Sequence, residues 1–212
     1  MPRIALIHAL AHSVAPINQA FARHWPQAGL MNLLDDSLSS DLAKGSLDAR
    51  MHQRFQTLAD YAVDCGADGI LFTCSAFGSC IDAVADRHAS MPVLKPNEAM
   101  IAAAARQGRH IGLVASFAPT LASMPAEFPA TVSVDVELAE GALAALEGGD
   151  SARHDALAAE AAQRLCERGC DLIALAQFSL ARAADTVRGG VSVPVLTTVD
   201  SAVELLRSRL PS

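Results

Sequence analysis

The chain has 212 residues, of which 51% are hydrophobic and 4% aromatic, with a formal charge of -7 and a pI near 5.4. An acidic, aromatic-poor chain lacks the basic stripes and stacking rings of a nucleic-acid groove, so no nucleic-acid partner is expected. No apolar run reaches the roughly 18 residues a spanning helix needs, because His8, His12 and later charges interrupt every stretch, so no membrane partner is expected either.

Read in chain order, "RIALIHA" is a first strand rather than a signal peptide: it carries a histidine in its apolar part and no small-residue cleavage pattern follows. "LLDDSLSSDLAKGS" (33–46) is polar and reads as a loop between the second strand and its helix, placed to act as a lid. A long helical pattern, "LDARMHQRFQTLADYAVDCG", leads to a strand "DGILFT". That strand exits at Thr73, Cys74 and Ser75 before a further helix. "PVLK" is the next strand, and "PNEAM" starts a helix with Asn97 as cap and Glu98 in its first turn. The remaining strands are "HIGLVAS", "DLIALAQ" and "PVLTT", with the helix "ALAAEAAQRLCERG" between the first two. Alternating strands and helices predict an α/β fold built from a mainly parallel sheet or sheets.

The order recurs. Ala67–Leu71 aligns with Cys170–Ala174 at an offset of 103, Asp48-Ala49-Arg50 with Ser151-Ala152-Arg153 at the same offset, "PVLKPNEAM" with "PVLTTVDSA" at 102, and "RIALIHA" with "HIGLVAS" at 107. Near-constant offsets favour two similar lobes over one continuous sheet. Two related lobes are expected to face a cleft with the carboxyl ends of their strands. In this alignment Cys74 corresponds to Gln177.

Cysteines stand at 65, 74, 80, 166 and 170. Cys166 and Cys170 share a helix face, but no histidine or cysteine lies close in sequence to complete a zinc site. Asp35 and Asp36 are adjacent carboxylates without further ligands at helpful spacing, so no metal is assigned. Free thiols point to a reducing, cytoplasmic address. Four of the five read as core, since free cysteine is among the most buried residue types. Cys74 differs: at a strand exit before a helix start, unpaired N–H groups and the helix dipole favour its thiolate, making it a base or nucleophile. The same N–H groups, with Ser75 and Ser179, can hold a carboxylate or an enolate-like oxygen.

"GADGILFTCSAFG", "PVLKPNEAM", "RHIGLVASFAPTL" and "GCDLIALAQFS…PVL", in that order, resemble the aspartate/glutamate racemase superfamily, which also holds hydantoin racemases, arylmalonate decarboxylase and maleate isomerase. The resemblance spans nearly the whole chain and implies two pseudo-symmetric α/β lobes about a cleft. It implies cofactor-independent chemistry by one cysteine per lobe, one removing an α-proton and the other delivering a proton to the opposite face. The first family cysteine falls on Cys74 and the second on Gln177, which cannot transfer a proton in that way. The resemblance also suggests substrate contacts at His8, Ser116 and Thr120, with Ser116 matched to His8, and a homo-oligomer, since dimers are common in the family. His8, His12, Lys95 and Glu98 are candidates for a substitute acid.

The expected architecture is residues 1–96 plus 198–212 as lobe one and 97–197 as lobe two. The expected function is a cofactor-independent racemase- or isomerase-like enzyme acting beside a carboxylate of a small acid or amino acid, with Cys74 as its single thiolate. The alternatives are a single-cysteine decarboxylase or lyase, favoured by Gln177, and a non-catalytic protein that binds small carboxylates.

Overall fold

The structure is a computed structural model that describes residues 1–210. The chain divides into two compact units, Met1–Glu98 together with the chain from Ala202, and Ala99–Ser201. No helix among the described residues is long and apolar enough to cross a membrane.

The first unit runs β1 (Arg3–His8), α1 (Val14–His24), β2 (Gly29–Leu34), α2 (Ser37–Leu42), α3 (Ala49–Asp64), β3 (Gly69–Phe72), α4 (Gly78–Arg87) and β4 (Val93–Leu94). Its strands form one parallel sheet in the order β2-β1-β3-β4. Ala5, Ile7, Ile70 and Phe72 pack with Phe55 and Ala59 of α3 and with Ile81 and Val84 of α4. Ile4, Leu6 and Leu71, which alternate to the other face, are also fully buried, as expected of a parallel sheet covered on both sides.

The second unit runs α5 (Glu98–Gln107), β5 (His110–Ala115), α6 (Ala118–Ser123), β6 (Ser133–Leu138), α7 (Ala142–Glu147), α8 (Ser151–Glu167), β7 (Leu172–Leu175), α9 (Ala184–Gly190) and β8 (Val195–Thr197). The chain then enters α10 (Thr198–Arg209). This sheet is also parallel, in the order β6-β5-β7-β8. Val114, Ile173 and Leu175 pack on Ala158, Ala162 and Leu165 of α8. Ile111, Leu113, Leu172 and Ala174 pack on Met100, Ile101 and Ala104 of α5. Gly112 is required beneath α8, because a Cβ there would come within 2.9 Å of Leu165 Cβ and 2.8 Å of Ile173 Cδ1.

The two sheets therefore repeat one strand order, each flanked by helices, as the α/β reading expected. The capping residues shift the internal alignment by one residue at its helical match. Asp48 caps α3 by accepting from Met51 N, and its counterpart is Asp150, which accepts from Arg153 N at the start of α8. The alignment of Asp48 with Ser151 loses to cap chemistry, because a side chain that satisfies an orphan N–H fixes where a helix begins. Helix α8 is one residue longer than α3, and both are followed by a glycine in the left-handed region, Gly66 (φ 77°) and Gly169 (φ 90°).

The polar segment after β2 is not an open loop. It contains α2, whose Leu38 is buried, and Arg54 of α3 ties it down through Asp35 and Asp41, both at 2.6 Å. Burial pushes the Asp35 pKa up, but hydrogen bonds from Ser37 and Arg54, with the Arg54 charge, together outweigh it and hold the carboxyl below the ordinary carboxylate range.

Candidate active site

In the first unit the carboxyl edge of the sheet is built around the exit from β3. Thr73 is buried, Cys74 is half-buried in extended conformation (φ -128°, ψ 121°), and Ser75–Phe77 form a 3-10 turn into α4. Phe77 anchors that turn: its ring lies 4.9 Å from Phe55, which lies 5.3 Å from Phe72. Ile7, His8, Ala9, Leu38, Phe55, Phe72, Cys74 and Phe77 line a small, partly open cavity of about 10 Å³, about the space of one water. Ser75, one residue past the thiol, is exposed.

The sequence reading expected the helix start to favour the Cys74 thiolate. Burial pushes the thiol pKa up, while a hydrogen bond from the Ala76 N–H lowers it, and the net direction is upward. Burial dominates because the apolar floor beneath the sulfur penalises a charge more than one N–H dipole rewards it. At neutral pH the group is a thiol.

His8 is fully buried, and its ring is engaged on both sides. Nε2 lies 3.0 Å from Asn32 Oδ1, and Nδ1 lies 2.8 Å from Ser13 Oγ and 3.0 Å from Thr73 Oγ1. With the Asn32 oxygen facing it, Nε2–H donates and Nδ1 accepts a hydroxyl proton, which describes a neutral imidazole. Burial drives the His8 pKa down, outweighing the contact with Asn32. The ring thus ties the end of β1 to β2, to the turn after β1 and, through Thr73, to the residue preceding Cys74. Ser13 and Asn32 were not singled out in the sequence, and Thr73 was read there only as marking the strand exit beside Cys74. The available signal was that Thr73 follows β3 where His8 ends β1, since Ile7 pairs with Phe72 in register.

The equivalent edge of the second unit is polar. Gln177 is extended (φ -138°, ψ 148°) and precedes the 3-10 turn Phe178–Ala183. Its Oε1 accepts from Ser116 N at 2.6 Å and from Ser116 Oγ at 3.0 Å. A backbone N–H can only donate, so the amide is fixed in one sense and Nε2 becomes the end turned away from Ser116. Ser116 itself is buried, Thr120 and Ser179 are half-buried, and Thr120 lies in α6. By strand register His8 corresponds to Ala115, and Ser116 to Ala9, so the matching of Ser116 with His8 is off by one residue. Adjacent strand residues point to opposite faces, which is why the slip matters.

The other candidate acids are engaged or surface groups. Lys95 pairs with Asp82 at 2.7 Å, Glu98 faces Arg209 at 3.7 Å, and His12 is exposed. Burial raises the Glu98 pKa despite Arg209 and Lys95. A further histidine went unnoticed in the sequence: His154 of α8 is fully buried, and its Nδ1 lies 2.7 Å from Asp155, which Arg182 holds at 3.0 Å. At the opposite, amino edge of this sheet, His110, Asp135 and Cys170 come together, with one ligand atom from each lying within 4.8 Å of the others.

The sequence pattern of the family described as Asp/Glu/Hydantoin racemase matches residues 12–206. The chain belongs to the Asp/Glu/hydantoin racemase family. No curated protein matches it. Among solved structures, allantoin racemase from Klebsiella pneumoniae superposes with a TM-score of 0.76 at 19% identity, covering 98% of this chain and 87% of that one. An aspartate racemase homologue from Pyrococcus horikoshii OT3 gives 0.77 at 15% identity, covering 98% of both chains. Unliganded arylmalonate decarboxylase gives 0.69 at 14% identity, covering 99% and 93%. At these identities the superpositions speak for the fold.

Proposed function

We propose that the protein is a cofactor-independent racemase- or isomerase-type enzyme acting at a carbon next to the carboxylate of a small acid or amino acid, with Cys74 as its acid–base group. The observation that carries this reading is the placement of Cys74. It sits at a strand exit at a sheet's carboxyl edge, on an aromatic floor, with the buried His8–Thr73–Ser13 group behind it. Ser75, Thr120, Ser179 and the Gln177 Nε2–H group are proposed as donors to the substrate, Ser116, whose N–H and Oγ–H both go to Gln177 Oε1, as the residue that orients that amide, and His8 as a positioning residue. The reading is of a homo-oligomeric, cytoplasmic enzyme without nucleic-acid or membrane partners.

In the proposed reaction the Cys74 thiolate, formed once its proton is lost to solvent, takes the α-hydrogen as a proton. The C–H electron pair moves into the carboxylate as an ene-diolate, stabilised by the donors. The S–H then returns a proton to carbon. With glutamine where a second thiol would stand, return occurs to the face of departure unless the intermediate turns, so exchange outpaces inversion.

A second reading, a single-cysteine decarboxylase, is favoured by the burial that keeps Cys74 protonated. Loss of CO2 from a substituted malonate leaves its bonding pair on carbon and needs no base. The Cys74 S–H then supplies the proton, and the resulting thiolate recovers one from water.

The test is a panel of small amino acids, dicarboxylates and substituted malonates incubated in D2O and followed by NMR. Deuterium at the α-carbon with or without inversion supports the first reading, and CO2 release with one deuterium in the product supports the second. Tight binding of a panel member with neither reaction would overturn both in favour of a carboxylate-binding protein.

A further inference from the structure

We propose that the amino edge of the second unit's sheet holds a divalent transition-metal site, of zinc type, ligated by His110 Nε2, the Asp135 carboxylate and Cys170 Sγ. It lies at the end of the sheet opposite Gln177 and Ser116, and it does not rest on the reading of the reaction.

Three different donor types converge here from three segments. His110 begins β5, Asp135 is the third residue of β6, and Cys170 lies in the turn before β7. Strand register explains the meeting of the first two: Asp135 pairs with Gly112, two residues along from His110, so their side chains share the face on which α8 packs. Gly169, at φ 90°, turns the chain so that Cys170 enters the same face. A nitrogen, an oxygen and a sulfur donor are the set that suits zinc. Tetrahedral zinc holds such atoms roughly 3.3–3.8 Å apart, given bonds of about 2.0–2.3 Å. The pairwise limit of 4.8 Å leaves about an ångström of side-chain adjustment.

The surroundings fit a cation. His110 Nδ1 lies 3.2 Å from the Gly169 carbonyl, so Nδ1–H donates there. That selects the tautomer with the Nε2 lone pair facing Asp135 at 3.4 Å, as a backbone carbonyl does for metal-bound histidines. The carboxyl end of α8 ends here, and its partial negative charge favours a cation. Asp135 and a Cys170 thiolate together balance a divalent charge. Arg168 is the opposing group, with Nε 3.7 Å from Asp135, but its Nη2 is committed to Glu137 at 2.7 Å. His110 and Asp135 are each about a third exposed, at 31% and 38%, which gives the ion an entry path. A water completes four-coordination.

Cysteine ligates as the thiolate, so metal capture forms an S–metal bond, breaks the Cys170 S–H bond and releases that proton to solvent.

The test uses the full chain, freed of metal by a chelator and titrated with Co2+ as a spectroscopic stand-in, followed by Zn2+ competition. The expected result is one equivalent of Co2+ giving a near-ultraviolet thiolate-to-cobalt charge-transfer band, bleached by Zn2+. The band is lost in Cys170→Ser and retained in Cys74→Ser and Cys166→Ser. His110→Gln and Asp135→Asn, at more exposed positions, weaken Zn2+ competition by tenfold or more, on the scale of about 10–100-fold seen when a metal site's support is removed. No thiolate band in the unaltered chain, a band that survives Cys170→Ser, or unchanged Zn2+ affinity in both edge variants would each overturn the site.

Discussion

Cys74 and Gln177 occupy the same place in two copies of one structural plan. Each is the extended residue two positions past the end of its sheet's third strand in chain order, and each precedes a 3-10 turn. The thiol is half-buried above an aromatic floor, whereas the amide is tied to Ser116. One plan thus carries a thiol in one copy and an amide of fixed orientation in the other.

That equivalence predicts the effect of Gln177→Cys. On the proposed reading, a second thiol at the matching position would supply the second proton-transfer group that opposite-face delivery requires. The variant is expected to raise net inversion relative to solvent exchange on any substrate the unaltered enzyme turns over. Chiral chromatography alongside deuterium incorporation measures the ratio, and an unchanged ratio argues against equivalence of function.

Burial sets the reactivity of Cys74 in the free protein. Because its pKa is raised, with desolvation the larger effect, alkylation of the Cys74 peptide is expected to be slow at pH 7. It should keep rising through the ordinary thiol range of about 8.5. Mass-spectrometric rates between pH 7 and 10 check this, and a plateau below that range would contradict it.

The two-sheet fold was legible in the sequence because strand ends repeat at near-constant offsets, and buried parallel strands such as "GILF" and "LIAL" are apolar throughout. The position of Cys74 was legible for the same reason. Its ionisation was not: the sequence displays the helix start, but the floor of Phe55, Phe72 and Phe77 is assembled from three elements. The approach of His110 and Asp135 to Cys170 was hidden similarly, since strand pairing rather than spacing joins them. The one-residue slip at Asp150 arose where loops and helix lengths absorb insertions, whereas the matching of Ser116 with His8 departs from the offset of 107 between the two first strands, which sets Ser116 against Ala9.

The aromatic floor is expected to be structural as well as local to the thiol. Phe55 is 2% exposed and touches both other rings, so Phe55→Ala should cost about 3–5 kcal/mol of stability. Urea unfolding measures the loss, and a change below about 1 kcal/mol would show that the cluster collapses around the gap.

His8 predicts a pH dependence of stability. Its folded pKa lies below the unfolded value of about 6.5, so below that value the unfolded chain binds more protons than the folded one. Stability is fully present above about pH 6.5 and falls as pH drops from there toward the folded pKa. His8→Gln should flatten this part of the profile in urea unfolding between pH 7.5 and 5.5. An identical slope in the variant would remove His8 from the account.

The central claim is that Cys74 moves a proton at carbon. It is tested most directly by comparing α-deuterium incorporation by the unaltered protein and Cys74→Ala in D2O, on whichever panel compound reacts. Loss of at least about 100-fold, the lower end of what a positioned acid or base contributes, with ligand binding retained, is the predicted result. Equal incorporation by the two proteins would contradict it.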